Sequence, residues 1–206
     1  KGWIFDGIVF GEKNKNKWMV GSENHHRTEK NQSDYPEETA GPDELIQMAA
    51  VFEGKQIKLY RNGKLIADYT VEKESEVINL KNNSVILGVR NGGSRDSIAG
   101  AIDDARVYDK ALTLDQIKAL KVNEESEIKP YAWWNFEADN VKDRTGRFPH
   151  QKLVAGAEIR DGKMHLMRQS SMTAARNIAD TYRGSMVPYS TKPYVPQVPK
   201  WPEVTP

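Results

Sequence analysis

The 206-residue chain carries 30 Lys and Arg against 29 Asp and Glu, with 38% apolar, 9% aromatic and 29% charged residues. So even a balance gives no global field to draw it onto nucleic acid or an anionic membrane, and the composition is too polar for a membrane-spanning helix of about 20 consecutive apolar residues. The chain contains no Cys, which excludes disulfides, thiol nucleophiles and thiolate zinc sites, and its length suits one domain or two small ones.

Taken in chain order, short alternating segments bounded by Gly, Asn and Asp dominate over helix-length amphipathic runs, which is the pattern of an all-β protein. The chain opens at Lys1-Gly2-Trp3 and reads as a piece of a longer polypeptide. Strands are expected over 3–10 and 17–22, and a long polar stretch covers 12–44. That stretch gathers Trp18, His25, His26 and Tyr35, an aromatic platform with polar neighbours of the kind a sugar site needs. Adjacent His side chains point opposite ways on an extended chain, so His25 and His26 are a poor metal pair and read first as a solvated loop. The clearest unit follows over 45–71: Ile46, Met48, Ala50 and Phe52 alternate, Glu53-Gly54 turns, Ile57 and Leu59 alternate, and Asn62-Gly63 turns into Leu65, Ala67 and Tyr69. Asn-Gly between alternating runs marks a tight hairpin, because both turn residues must accept positive φ. Three antiparallel strands are therefore expected.

Further strands read at 77–80, 85–90 and 97–108. Between the last two, a Gly-rich loop presents Arg90, Asn91, Arg95 and Asp96, whose guanidinium and carboxylate groups suit forked bonds to sugar hydroxyls. One helix is expected over 112–120, where Thr113 and Gln116 form a capping box. The charged run 123–129 is a solvated connection, after which Tyr131-Ala-Trp-Trp-Asn-Phe-Glu137 resumes strand alternation. The alternation puts Trp134 and Phe136 on a core face and Trp133 on the opposite one, exposed or covered by the tail. A polar turn over 139–146 and a hairpin around Asp161-Gly162 come next. Six of the ten prolines lie between Pro188 and Pro206, interleaved with Tyr189, Tyr194 and Trp201, which predicts an extended strap packed on a neighbouring surface.

Three blocks of sequence resemble a known family. Met48-Ala-Ala-Val-Phe-Glu-Gly-Lys-Gln-Ile-Lys-Leu-Tyr-Arg-Asn-Gly-Lys-Leu-Ile-Ala67 is similar to the central meander of LamG-like, concanavalin A-like jelly rolls. Val85 to Arg90, then Ala99 through Ile117, are similar to that family's closing strands and capped helix. Trp133-Trp-Asn-Phe136, Asp143-Arg-Thr-Gly146 and Gly156 to Leu166 resemble the family's opening strands, but here they follow the closing block. The resemblance implies an antiparallel jelly-roll β-sandwich with one short capped helix. Its core is expected over 1–122, a charged connection over 123–130, strands over 131–181 that complete the same sandwich or start a second, and a Pro-rich strap over 182–206. A shared sandwich is favoured, because a second domain of so few residues buries too little surface to close alone.

The family hosts binding, structural and catalytic proteins, so function rests on the residues. Glu137-Ala-Asp139 lacks the third acid of the related hydrolases' paired-carboxylate strand, and no nucleophile elbow, P-loop or His-Glu-x-x-His motif occurs. The expected function is a non-catalytic sugar-binding module of an exported bacterial polysaccharide-degrading enzyme, placed outside the cytoplasm, with a glycan and an adjacent catalytic domain as partners and neither nucleic acid nor membrane. The alternatives are a sandwich that only braces a glycoside hydrolase domain, to whose fructan-active kind the Pro-rich tail is similar, or a fragment of that hydrolase. The resemblance also implies Asp103 and Asp104 as ligands of a structural Ca²⁺, although no compact Asp-rich calcium loop accompanies them.

Overall fold

A computed structural model describes residues 5–74, 84–89, 98–167 and 171–175. The strands, all paired antiparallel, are β1 (Asp6–Phe10), β2 (Trp18–Ser22), β3 (Met48–Glu53), β4 (Gln56–Arg61), β5 (Lys64–Thr70), β6 (Ser84–Leu87), β7 (Gly100–Ile102) and β8 (Ala105–Val107), then β9 (Ala132–Trp134), β10 (His150–Val154), β11 (Glu158–Arg160), β12 (Lys163–Leu166) and β13 (Ser171–Ala175). One helix, α1 (Leu114–Ala119), follows β8. The expected strand at 77–80, the loop 90–97 and the Pro-rich strap lie outside the described residues.

The hairpin chemistry explains the meander β3-β4-β5. Asn62 and Gly63 take φ of 49° and 67°, the left-handed pair a two-residue turn needs, and Asp161 and Gly162 (54° and 68°) repeat it between β11 and β12. Period-two alternation then clothes both faces of the meander. Ile57, Leu59 and Ala67 pack with Val20 of β2 and half-buried Trp18 and Tyr35, while Val51 and Tyr60 pack on the other face with Ile117 of α1 and with Leu112 just before that helix. The capping box is present in full: Thr113 Oγ1 accepts from the Gln116 amide at 3.3 Å and Gln116 Oε1 accepts from the Thr113 amide at 2.9 Å.

The remaining strands build an all-β sandwich from distant parts of the chain. β6 pairs with β13, which pairs with β10; β7 pairs with β12, which pairs with β11; and β8 pairs with β9. Register places Ile159, Met164 and Ile102 in one inward row, and Leu153, Met172 and Leu87 in another. Both rows meet Trp134, Phe136 and Phe148 in a single core.

Three expected strands are shorter than the sequence suggests. The 97–108 strand splits into β7 and β8 at Asp103-Asp104, whose carboxylates turn to side-chain and backbone donors of the 121–124 segment. The 131–137 strand ends at Trp134, because Phe136 adopts φ 54° and a 3₁₀ turn carries Glu137–Asp139. Phe136 nevertheless reaches the core at 1% exposure. The 3–10 strand begins at Asp6, with Phe5 outside it and positions 3 and 4 outside the described residues. Among the described residues no helix is long and apolar enough to cross a membrane.

Candidate functional site

The long 23–47 loop is fastened by two ion-pair clusters, one to Arg61 of the meander and one to Asp6 of β1. Glu38 accepts Trp18 Nε1 at 2.6 Å, Arg61 Nη2 at 2.6 Å and Nε at 2.9 Å, and the amides of Thr39 and Ala40 at 2.9 and 2.8 Å. The Arg61 guanidinium is the main cause that brings the Glu38 carboxyl down to about 2, against the opposing effect of burial. Arg27 is fully buried; Nε donates to Asp6 at 2.8 Å, and Nη2 and Nη1 donate to Glu23 at 2.6 and 3.1 Å. Burial alone raises the Glu23 carboxyl, but the Arg27 hydrogen bonds and charge outweigh it and hold Glu23 below its ordinary value.

These clusters use up the residues that the sequence assigns to an aromatic platform. Trp18 lies in β2 rather than in the loop, half-buried, tilted 47° to Phe10 at 4.7 Å with its indole N–H spent on Glu38. Tyr35 packs against the meander core, and burial pushes its phenol well above the ordinary value. His25 and His26 are exposed, and His25 Nε2 faces Glu12 at 3.4 Å. The structure therefore spreads these four side chains over a strand, a turn and a packed loop. Arg90, Asn91, Arg95 and Asp96 lie outside the described residues.

Asp103 and Asp104 bond protein donors in place of the expected ion. Asp104 takes Arg106 Nη2 at 2.6 Å and Nε at 3.0 Å, the Asn123 amide at 2.7 Å and Trp133 Nε1 at 3.1 Å, which fills its four acceptor positions. Asp103 takes Asn123 Nδ2 at 2.7 Å and faces Lys163 at 3.6 Å. The pair does not fit Ca²⁺, which wants six to eight free oxygens. Among the described residues no three His, Asp or Glu side chains converge as metal ligands. Glu137 of the Glu-Ala-Asp triplet accepts Asn123 Nδ2 at 3.0 Å on an exposed turn, which is an ordinary structural role.

Two depressions collect polar side chains instead. The first, about 360 Å³, lies over the outer face of β7, β11 and β12 and is lined by Asp43, Gly100, Gly156, Glu158, Arg160 and His165, among others. Because Ile159, Met164 and Ile102 point inward, the alternate row Glu158, His165 and Ala101 points outward into it. Arg160 binds Glu158 at 2.8 Å and places Nη2 3.2 Å from His165 Nδ1. A guanidinium only donates, so Nδ1 accepts and the ring proton sits on Nε2. That Nε2 is shut away from water and has no protein partner.

The second depression, about 290 Å³, is lined by Glu125, Lys129, Trp133, Arg144, Thr145 and Arg147, with Pro130. Trp133 is 3% exposed, and Arg106 and Arg144 stack on its ring at 4.5 and 4.1 Å from the centroid. The expectation of a solvent-exposed Trp133 is thus corrected, since two guanidinium groups lie on it, while the tail expected as its other cover lies outside the described residues. Asp143 shapes the turn beneath, accepting the amides of Trp133, Thr145 and Phe148 at 2.9, 3.0 and 3.0 Å. Neither depression was singled out from the sequence, since each joins residues of separate strands. The one available signal was the Asp143-Arg-Thr-Gly146 turn.

Residues 2–118, more than half of the chain, match the family model of the concanavalin A-like lectin/glucanases superfamily. No curated protein and no solved structure matches the chain. The matched span carries the meander, the capping box and strands β1–β8, the same features that organise the sandwich. The chain belongs to the concanavalin A-like lectin/glucanase superfamily.

Proposed function

We propose that this chain is a non-catalytic carbohydrate-binding module of an exported polysaccharide-degrading enzyme, and that it holds glycan hydroxyls in the cleft over β7, β11 and β12. The observation that carries this reading is the outward-facing group of Glu158, Arg160 and His165 on the wall of a cleft of about 360 Å³. Glu158 accepts and Arg160 donates, so both senses of a sugar hydroxyl are served. Family membership supports the ligand class.

The test is a titration with a panel of neutral oligosaccharides, followed by calorimetry and by NMR of the His165 ring. Saturable binding that weakens about tenfold in Glu158→Gln and Arg160→Ala supports the cleft, by loss of roughly one charge-assisted bond each. No binding to any member of the panel overturns it.

A second reading is favoured by one observation: the described tryptophans are turned inward or capped, with Trp134 at 0% and Trp133 at 3% exposure. Sugar modules that stack their ligand present open rings, so inward rings suit a sandwich that braces a neighbouring glycoside hydrolase domain. Deleting the chain from the longer polypeptide then lowers the thermal midpoint of that domain without changing the affinity for polysaccharide.

A further inference from the structure

The outer face of the β8–β9 pair carries a cluster that the cleft over β7, β11 and β12 does not use. Arg106 and Trp133 are direct register partners there, and Arg144 comes to the same indole from the Asp143 turn. The adjoining pocket of about 290 Å³ holds three cations, Lys129, Arg144 and Arg147, against one carboxylate, Glu125. That carboxylate is divided between Lys129 at 2.8 Å and Arg144 at 3.5 Å, and all three groups are exposed. Lys129 holds the Glu125 carboxyl below its ordinary value, so it stays charged at neutral pH and the lining keeps a net surplus of two positive charges.

The two arginines are held in an unusual way for surface cations. Arg147 donates Nη1 to the Tyr131 carbonyl at 3.0 Å and lies 4.8 Å from the Tyr131 ring centroid, with no carboxylate partner among the described residues. Arg144 rests on Trp133. Stacking and a carbonyl bond fix the direction of a guanidinium without cancelling its charge, and they leave most of its five N–H donors unspent. Arg106 differs, because Asp104 neutralises it behind the indole. The result is a pre-oriented fork with no carboxylate partner among the described residues, Arg147, beside a second, Arg144, which shares the single Glu125 carboxylate with Lys129, a geometry matched to the paired oxygens of a carboxylate or sulfate.

We propose that this pocket binds the oxyanion group of an acidic saccharide, with Arg144 and Arg147 forking its oxygens and Lys129 adding charge. The site is independent of the cleft over β7, β11 and β12: it selects charged residues of a glycan, whereas that cleft reads hydroxyls. The oxyanion part of the inference stands on this pocket alone, and its saccharide part rests on the proposed function.

The whole chain is titrated with a galacturonate oligosaccharide, a sulfated galactose oligosaccharide, the neutral galactose oligosaccharide and sodium sulfate, while the Trp133 indole N–H resonance is followed by NMR. The expected result is a saturable shift with at least one acidic oligosaccharide, at an affinity about tenfold or more above that of inorganic sulfate, and no shift with the neutral one. Loss of one charge-assisted contact in Arg147→Gln weakens that binding about tenfold or more, and rising salt weakens it further. Arg147 is exposed, so this variant keeps the thermal midpoint of the parent within a few degrees. Arg144→Lys, which retains charge but loses the fork, also weakens binding. The proposal is overturned if no acidic oligosaccharide saturates the shift, if Arg147→Gln binds as the parent does, or if inorganic sulfate binds as tightly as the saccharides. The His165 resonances in the same spectra report the other cleft separately, so failure at one site is distinguishable from failure at the other.

Discussion

Arg27 and Glu38 hold the 23–47 loop, and each does so through charge at a buried or half-buried position. Arg27 has no exposed surface and two carboxylate partners, so its removal strands both Asp6 and Glu23. Arg27→Met is expected to lower stability by about 3–5 kcal/mol, the cost of breaking a buried ion pair from one side, measured by urea unfolding. Arg27→Lys recovers only part of this, because an ammonium cannot fork two carboxylates at once. Glu38 makes a pH-dependent prediction. Its folded value near 2 lies below the ordinary 4.5, so its contribution is complete above pH 4.5 and disappears as pH falls toward 2. Between pH 5 and pH 2.5 the parent should lose on the order of 1–2 kcal/mol more than Glu38→Gln, reduced from the full linkage value because water screens partly exposed Arg61. Equal losses in the two proteins would sink this account.

At the scale of elements, α1 shows how a two-turn helix is kept in place. Isolated helices this short are unstable in water, so the cap and one buried side chain must supply what length does not. Thr113→Ala is expected to cost about 1 kcal/mol through the lost cap, and Ile117→Ala about 2–5 kcal/mol through the cavity left under a residue at 1% exposure. Thermal unfolding of the two variants checks both, and a larger loss for Thr113→Ala than for Ile117→Ala contradicts the ranking. This cap was readable from Thr113 and Gln116 alone, as were the Asn62-Gly63 and Asp161-Gly162 hairpins, because their chemistry is confined to neighbours in the chain. The breaks at Asp103 and Asn135 were not, since at Asn135 the apolar alternation of Trp134 and Phe136 continues while the backbone turns away to seat Phe136, and at Asp103 the partner that the acids serve, Asn123, is distant in the chain. The candidate sites were less legible still. Trp133 meets Arg106 across a strand pair, and His165 meets Arg160 across a hairpin, but only the fold sets which face each pair shares and what shields it. Trp18 and Tyr35 misled for the reverse reason: an aromatic in a polar stretch suggests a platform, and here each is drawn down onto the meander.

For the whole molecule, the decisive fact is that β9–β13 are added to the sheets of β6, β7 and β8, so that Trp134, Phe136, Met164 and Met172 share a core with Val85, Leu87 and Ile102. The connection between the two sets, around Glu124 and Glu125, is exposed and bonded mainly by surface pairs. A chain nicked there by protease should still elute as one species in native buffer and separate only in denaturant; elution as two pieces without denaturant would show that the shared core does not hold them. The same pairing has a consequence in time. The meander and the β11–β12 hairpin close over turns of two residues, whereas Ser84 must find Ala175 and Gly100 must find Leu166 across most of the second half of the chain. Loop closure of that span is entropically slow, so the meander gains its protection against hydrogen exchange first and β6, β7 and β13 gain theirs last during refolding.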